Sequence, residues 1–126
     1  MIDFNGSGFF ARLQQVDNNE FYGLISDYLV NDERVLCAYK SIRDGMIFTN
    51  KRIIAINIQG ITGKKKDFTS IPYNKISCYS LETAGVLDLD SELEIYVTAV
   101  GKIKISFVGH TDVAAICRLL SIHVLG

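Results

Sequence analysis

The sequence predicts a mainly β chain of the α+β kind: a barrel or sandwich of about seven antiparallel strands, with a short helical N-terminus and a C-terminal capping helix. Three observations predict it. Between residues 33 and 108 the chain falls into short runs rich in β-branched and aromatic residues, punctuated by turn-forming clusters. The connections between these runs are short, which favours antiparallel neighbours. Beyond residue 110 the apolar spacing changes from two to three and four, the period of a helix. A length of 126 residues suits one domain, 1–126, with 1–30 helical, 33–108 in strands and 110–124 in the last helix.

The elements follow in order. Phe9, Phe10, Leu13 and Val16 recur at helical spacing, and Asp17, Asn18 and Asn19 are competent N-caps before a second stripe of Phe21, Leu24, Ile25, Tyr28 and Leu29. Strands follow at 34–42 and 45–49 around the turn cluster Arg43-Asp44-Gly45. The next run, KRIIAINI (51–58), is apolar on both faces: Ile54, Ile56 and Ile58 on one, Ile53 and Ala55 on the other. Such a strand requires cover on both sides. Gly60 and Gly63 bracket a turn, and KKDFTSI (65–71) returns to Pro72, which cannot donate to a ladder and so marks a strand end or an edge. ISCYSLET (76–83) is a strand, and 84–91 a loop. ELEIYVT (92–98) and KIKISFV (102–108) alternate strictly; a loop Ala99-Val100-Gly101 keeps Leu93, Ile95 and Val97 on one face with Ile103, Ile105 and Phe107, and pairs Ile95 with Ile105 and Tyr96 with Lys104. Thr111 or His110 caps the last helix, Asp112 sits in its first turn, and Val113, Ile116, Cys117, Leu120 and Val124 form its stripe.

Hydrophobic residues make up 48% of the chain and mean hydropathy is +0.21, enough for part of the apolar surface to be covered by a partner. No run is long enough to span a bilayer, and the N-terminus lacks a basic region followed by an apolar one, so a cytoplasmic location is expected. Cys37, Cys78 and Cys117 lie in phase with apolar neighbours and read as reduced core residues. Their spacing, and that of His110 and His123, provides no zinc site, and no cofactor is expected.

Several motifs carry a resemblance. Arg43-Asp44, FTNKR (48–52), GITGKK (60–65), IPY (71–73), ETAG (82–85) and DLDSEL (88–93) occur in order within a stretch covering about two thirds of the chain. They resemble those of the small stand-alone bacterial pleckstrin-homology-like domains. The resemblance implies a pleckstrin-homology-like fold, in which a bent seven-stranded sheet is closed at one corner by a helix. It further implies assembly into ring-shaped homo-oligomers and no enzyme activity. The Lys-x-n-[Lys/Arg]-x-Arg pattern of eukaryotic lipid-binding relatives is met only in part, by Lys40 and Arg43 with Asp44 beside them.

Charge is balanced overall, at a formal net −1, but segregated along the chain. Lys40, Arg43, Lys51, Arg52, Lys64, Lys65 and Lys66 fall between 40 and 66, and form a candidate interface or anion-binding set. Asp88, Asp90 and Glu92 form a candidate acidic interface; their alternate carboxylates lack the glycine and bidentate glutamate of a calcium loop, so no metal is assigned. Gly60, Gly63 and the three lysines lack the strand-to-helix setting of a P-loop, and Phe48, Tyr73, Tyr79 and Tyr96 lack a ribonucleoprotein-type context, so nucleic acid is not an expected partner. No catalytic motif is present. The leading expectation is a non-enzymatic module that assembles with itself head to tail, basic hairpin to acidic loop, with other protein partners open. The alternative is a peripheral membrane or phosphoinositide-binding module. Three lysines at an anionic surface contribute about 3 kcal/mol in all, too little to dock a monomer stably.

Overall fold

The computed structural model describes residues 1, 12–87 and 89–126. Its elements are β1 (Gln14–Val16), α1 (Tyr22–Ile25) continued by a 3₁₀ turn (Ser26–Tyr28), β2 (Val35–Lys40), β3 (Gly45–Thr49), β4 (Arg52–Gln59) and β5 (Lys65–Pro72). A 3₁₀ turn (Tyr73–Lys75), β6 (Ile76–Glu82), β7 (Ser91–Val97), β8 (Gly101–Phe107) and α2 (Val113–Leu125) follow. The strands form two antiparallel sheets, β1-β2-β3-β4-β5 and β6-β7-β8.

The two faces of β4 define two cores, and the alternation of side chains along a strand explains why. Ile53 and Ala55 join Tyr39, Phe48, Leu93, Ile95, Ile105 and Phe107 in the main core, which residues of both sheets build and Ile116 and Leu120 of α2 complete. Ile54 and Ile56 point the other way, with Ala38 and Ile47, and are covered by Phe21 and Ile25 of the N-terminal helical segment. The cover that the two-sided strand requires therefore comes from this chain's own residues. The tip of the Phe21 ring can close onto β3 because position 45 is glycine: a Cβ there would fall 2.5 Å from Phe21 Cζ.

Four expectations are corrected. Leu13 and Val16 lie in a bridge and strand, not a helix: Leu13 N donates to Ser106 O and Val108 N to Leu13 O, while Gln14 to Val16 pair with β2. Among the described residues this makes eight strands; Phe9 and Phe10 fall outside them. The β7–β8 pairing is displaced by two residues, with Ile95 opposite Ile103, Leu93 opposite Ile105 and Tyr96 opposite Lys102. The connection is Thr98-Ala99-Val100, and Ala99 (φ 70) and Gly101 (φ 111) supply the positive φ that such a tight turn needs. The cap of α2 is Asp112, whose carboxylate accepts from Ala115 N at 3.1 Å, rather than His110 or Thr111. Cys37 is buried in the core, but Cys78 is exposed and Cys117 half-buried. A register shift between Ile76 and Cys78 turns Cys78 outward.

Candidate functional site

The FTNKR stretch is a clasp. Its threonine, Thr49, is fully buried, donates to Glu33 Oε2 at 2.7 Å and accepts from the amides of Lys51 and Arg52 at 3.0 Å. Arg52 donates through Nε to Glu33 Oε2 and through Nη2 to Glu33 Oε1, both at 3.0 Å, and also to Tyr28 O and Ser70 Oγ. Asn50 donates to Asp32 O and accepts from Arg34 N, both at 2.8 Å. The turn between β3 and β4 thus grips the segment 28–34 that leads from the helical cover into β2. Burial pushes the Glu33 carboxyl up, but bonds from Arg52, Thr49 and Val30 N together with the Arg52 charge outweigh it and hold the group below its ordinary value. Four of the five Arg52 N–H donors are thus used inside the chain, which ties this candidate interface cation to the clasp. Lys51 is exposed at the same turn.

The other basic candidates gather at the opposite end of the five-stranded sheet. Lys40 ends β2, and Arg43 lies in the following turn and donates to Gly60 O at 2.7 Å, tying the β2–β3 and β4–β5 loops together. Gly60 (φ 75) and Gly63 (φ 68) shape the second loop, from which Lys64, Lys65 and Lys66 lead into β5. Arg12, Gln14, Lys40, Ser41, Arg43 and Asp44 line an open cleft of about 700 Å³. Asp44 stabilises its wall, accepting from Ile58 N at 2.8 Å and Asn57 Nδ2 at 3.2 Å.

The two described acidic candidates are both engaged within the chain. Asp90 pairs with Arg12 at 2.6 Å, and Arg12 itself lines the basic cleft. Glu92 pairs across the sheet with Lys104 at 3.2 Å. Asp88 lies outside the described residues.

A feature of this end escaped the charge-based reading. Ile42, Ile61, Val86 and Leu87 are essentially fully exposed, the least exposed of them at 94%, and all sit in loops of this end. The 83–90 loop borders a second cleft that shares Arg12, Gln14 and Val108 with the first. The signal was present in the sequence as single large aliphatics inside turn-forming stretches, as in SIRDG and GITG, where no strand or helix buries them.

Among the described residues Thr111 Oγ1 is buried without a hydrogen-bond partner, whereas Tyr73 is tied into the clasp. Tyr73 donates its hydroxyl to Thr49 O at 2.7 Å, burial raises its phenol above the ordinary range, and its ring stacks on His123 at 4.6 Å. Among the described residues no three His, Cys, Asp or Glu side chains are placed to hold a metal ion, and no helix is long and apolar enough to cross a membrane.

Comparison with known proteins agrees with this architecture. The family model described as bacterial PH domain matches residues 5–124. The uncharacterized protein YozO of Bacillus subtilis is 30% identical over 117 residues, which span 93% of this chain and 97% of YozO. YjqA of the same organism, also uncharacterized, is 51% identical over 74 residues, a stretch spanning only 59% of each chain. A crystal structure of a DUF1696 family protein with a pleckstrin-homology domain from Shewanella loihica superposes with a TM-score of 0.80 at 32% identity, covering 90% of this chain and 98% of that one. A pleckstrin homology domain from Shewanella amazonensis gives a TM-score of 0.68 at 34% identity, covering 97% and 95%. With the match to the family model running through both sheets and α2, the chain belongs to the bacterial PH domain family.

Proposed function

We propose that this chain is a non-enzymatic binding and scaffold module that assembles with itself into a closed, ring-shaped homo-oligomer. The observation that carries this reading is the outer edge of β6 (Ile76–Glu82), which ends its sheet and has no strand partner among the described residues. Such an edge is a template for pairing with another chain. Joining it to a different surface of the next copy is a heterologous contact, which generates a ring when the rotation closes. The non-enzymatic part draws support from how the interior polar groups are used: Glu33, Thr49, Arg52 and Tyr73 bond to one another and to backbone. Static light scattering of the purified chain tests the assembly, with a multiple of 14.0 kDa expected.

The cleft lined by Lys40 and Arg43, with the loop that Arg43 ties to it leading into Lys64, Lys65 and Lys66, favours a second reading, as an anion- or membrane-binding module that uses these five cations. Its test is salt-sensitive sedimentation with anionic liposomes, which replacing the three lysines by alanine weakens.

A further inference from the structure

We propose that the outer edge of β6 accepts an extended segment of another protein, in which apolar and cationic residues alternate, as a fourth strand of the β6-β7-β8 sheet. The inference goes beyond the assembly reading, with which it shares this edge: an edge holds one strand at a time, so the segment competes with a second copy.

The inward side of the edge carries the argument. Residues directly opposite on neighbouring strands share a face, and Tyr79 and Leu81 stand opposite Ile95 and Leu93, both buried in the main core. Tyr79 and Leu81 therefore point inward as well, yet each is only half-buried, because the sheet stops at β6 and among the described residues no strand lies beyond it. Tyr79 is anchored where it stands, its hydroxyl 2.6 Å from Ser121 Oγ of α2. An added strand would pair its backbone with β6 and bring every second side chain down beside Tyr79 and Leu81, which makes apolar residues fit at those positions.

Charge on the outward face selects the segment. Glu82 of β6 lies directly opposite Glu92 of β7, a like-charged pair, and Ser80 lies opposite Glu94. The cations stand on the far side of the sheet: Lys104 of β8 pairs with Glu92 at 3.2 Å and Lys102 with Glu94 at 3.6 Å. The bond and charge of Glu92, and then the charges of Glu94 and Glu82, hold the Lys104 ammonium above its ordinary value, so the three carboxylates act on one surface. Passing inward from the edge, the charges read acid, acid, base, and among the described residues Glu82 has no salt bridge of its own. A fourth strand lies about 4.8 Å from β6. A lysine or arginine on its outward face gives Glu82 the opposite charge across the strands, whereas an acidic residue there extends the repulsion.

The probe is a synthetic peptide of seven residues, the length of β6, that alternates lysine with valine and is blocked at both ends; a peptide alternating glutamate with valine is its control. Hydrogen exchange read by mass spectrometry is expected to slow across residues 76–82 with the lysine peptide and not with the control. Glu82→Lys, at an exposed position, is expected to weaken the lysine peptide by about tenfold or more, with circular dichroism as the check on its fold. Of two lysine peptides N-methylated at alternate residues, on the valines or on the lysines, one is expected to lose binding and the other to keep it, because alternate amides of a strand face the same side. If both bind as well as the parent, the added strand is overturned, and equal binding of the glutamate peptide overturns the charge selection. Light scattering with and without the lysine peptide separates this inference from the assembly reading. An oligomer whose mass falls toward 14.0 kDa as peptide is added supports competition for the edge. An oligomer whose residues 76–82 ignore the peptide overturns the inference and leaves assembly standing, whereas a monomer whose residues 76–82 are protected by it supports the inference and overturns assembly.

Discussion

Glu33 and Arg52, nineteen residues apart in sequence, meet through two charge-assisted hydrogen bonds of 3.0 Å, with the Glu33 side chain wholly buried and that of Arg52 mostly so. Their pairing joins the end of the helical cover to the β3–β4 turn and supplies the structural reason for the FTNKR motif. Removing one partner leaves the other charge unpaired, with Glu33 keeping its bonds from Thr49 and Val30 N and Arg52 its bonds to Tyr28 O and Ser70 Oγ, a loss of about 1–3 kcal/mol. Glu33→Ala is therefore expected to lower the urea midpoint sharply, and Arg52→Ala, which strands a buried carboxylate, to do at least as much damage. A midpoint unchanged in both variants would show that the clasp does not hold the fold.

The same pair sets an acid limit. The Glu33 carboxyl lies below its ordinary value in the folded chain, so the unfolded state binds the proton more readily. Its stabilising contribution is complete above the unfolded pKa of 4.5 and is lost as pH falls from there through the folded value. Melting temperature measured from pH 7 down to pH 3 should decline below about pH 4.5, and the decline should be shallower in Glu33→Gln.

Two glycines give opposite predictions from one substitution. Gly45→Ala places a Cβ 2.5 Å from the Phe21 ring, and displacing that buried ring costs about 1–3 kcal/mol. Gly23, within α1, has nothing within 4 Å, so Gly23→Ala should stabilise by about 0.5–1 kcal/mol through helix propensity and a less flexible unfolded chain. Calorimetry of the two variants reads both signs.

Thiol labelling separates the three cysteines. Burial pushes the Cys37 thiol up to about 11, while Cys78 is exposed on β6. At pH 8 iodoacetamide should modify Cys78 first, and Cys37 only at the rate of unfolding. Mass spectrometry of timed samples shows the order, and early modification of Cys37 would contradict its burial.

Much of the fold was legible because the strands of the main core obey simple periods. GMIFT and the two-sided run through Ile58 lie close to where composition placed them, and Pro72 does end β5 at a sheet edge. The misreadings have physical causes. Leu13 faces the main core and Val16 the outer one, so a strand covered on both sides produced a three-residue apolar spacing that imitates a helix. Face parity fixes only that the β7–β8 loop is odd in length, and both candidate loops have three residues; the positive φ at Ala99 decided between them. Arg52 read as a surface cation because its partner lies on another element, a pairing no local pattern reveals. Asp90 was read as part of an acidic interface, and the Arg12 that the fold brings to it was not foreseen. The exposed aliphatics of the loop end were overlooked because charge, not burial, guided the choice of site.

Self-assembly is the central claim, and the molar mass of the chain in solution tests it most directly. Light scattering coupled to size exclusion at micromolar concentration should give one species at two or more times 14.0 kDa. A wild-type mass of 14.0 kDa across that concentration range would contradict the account.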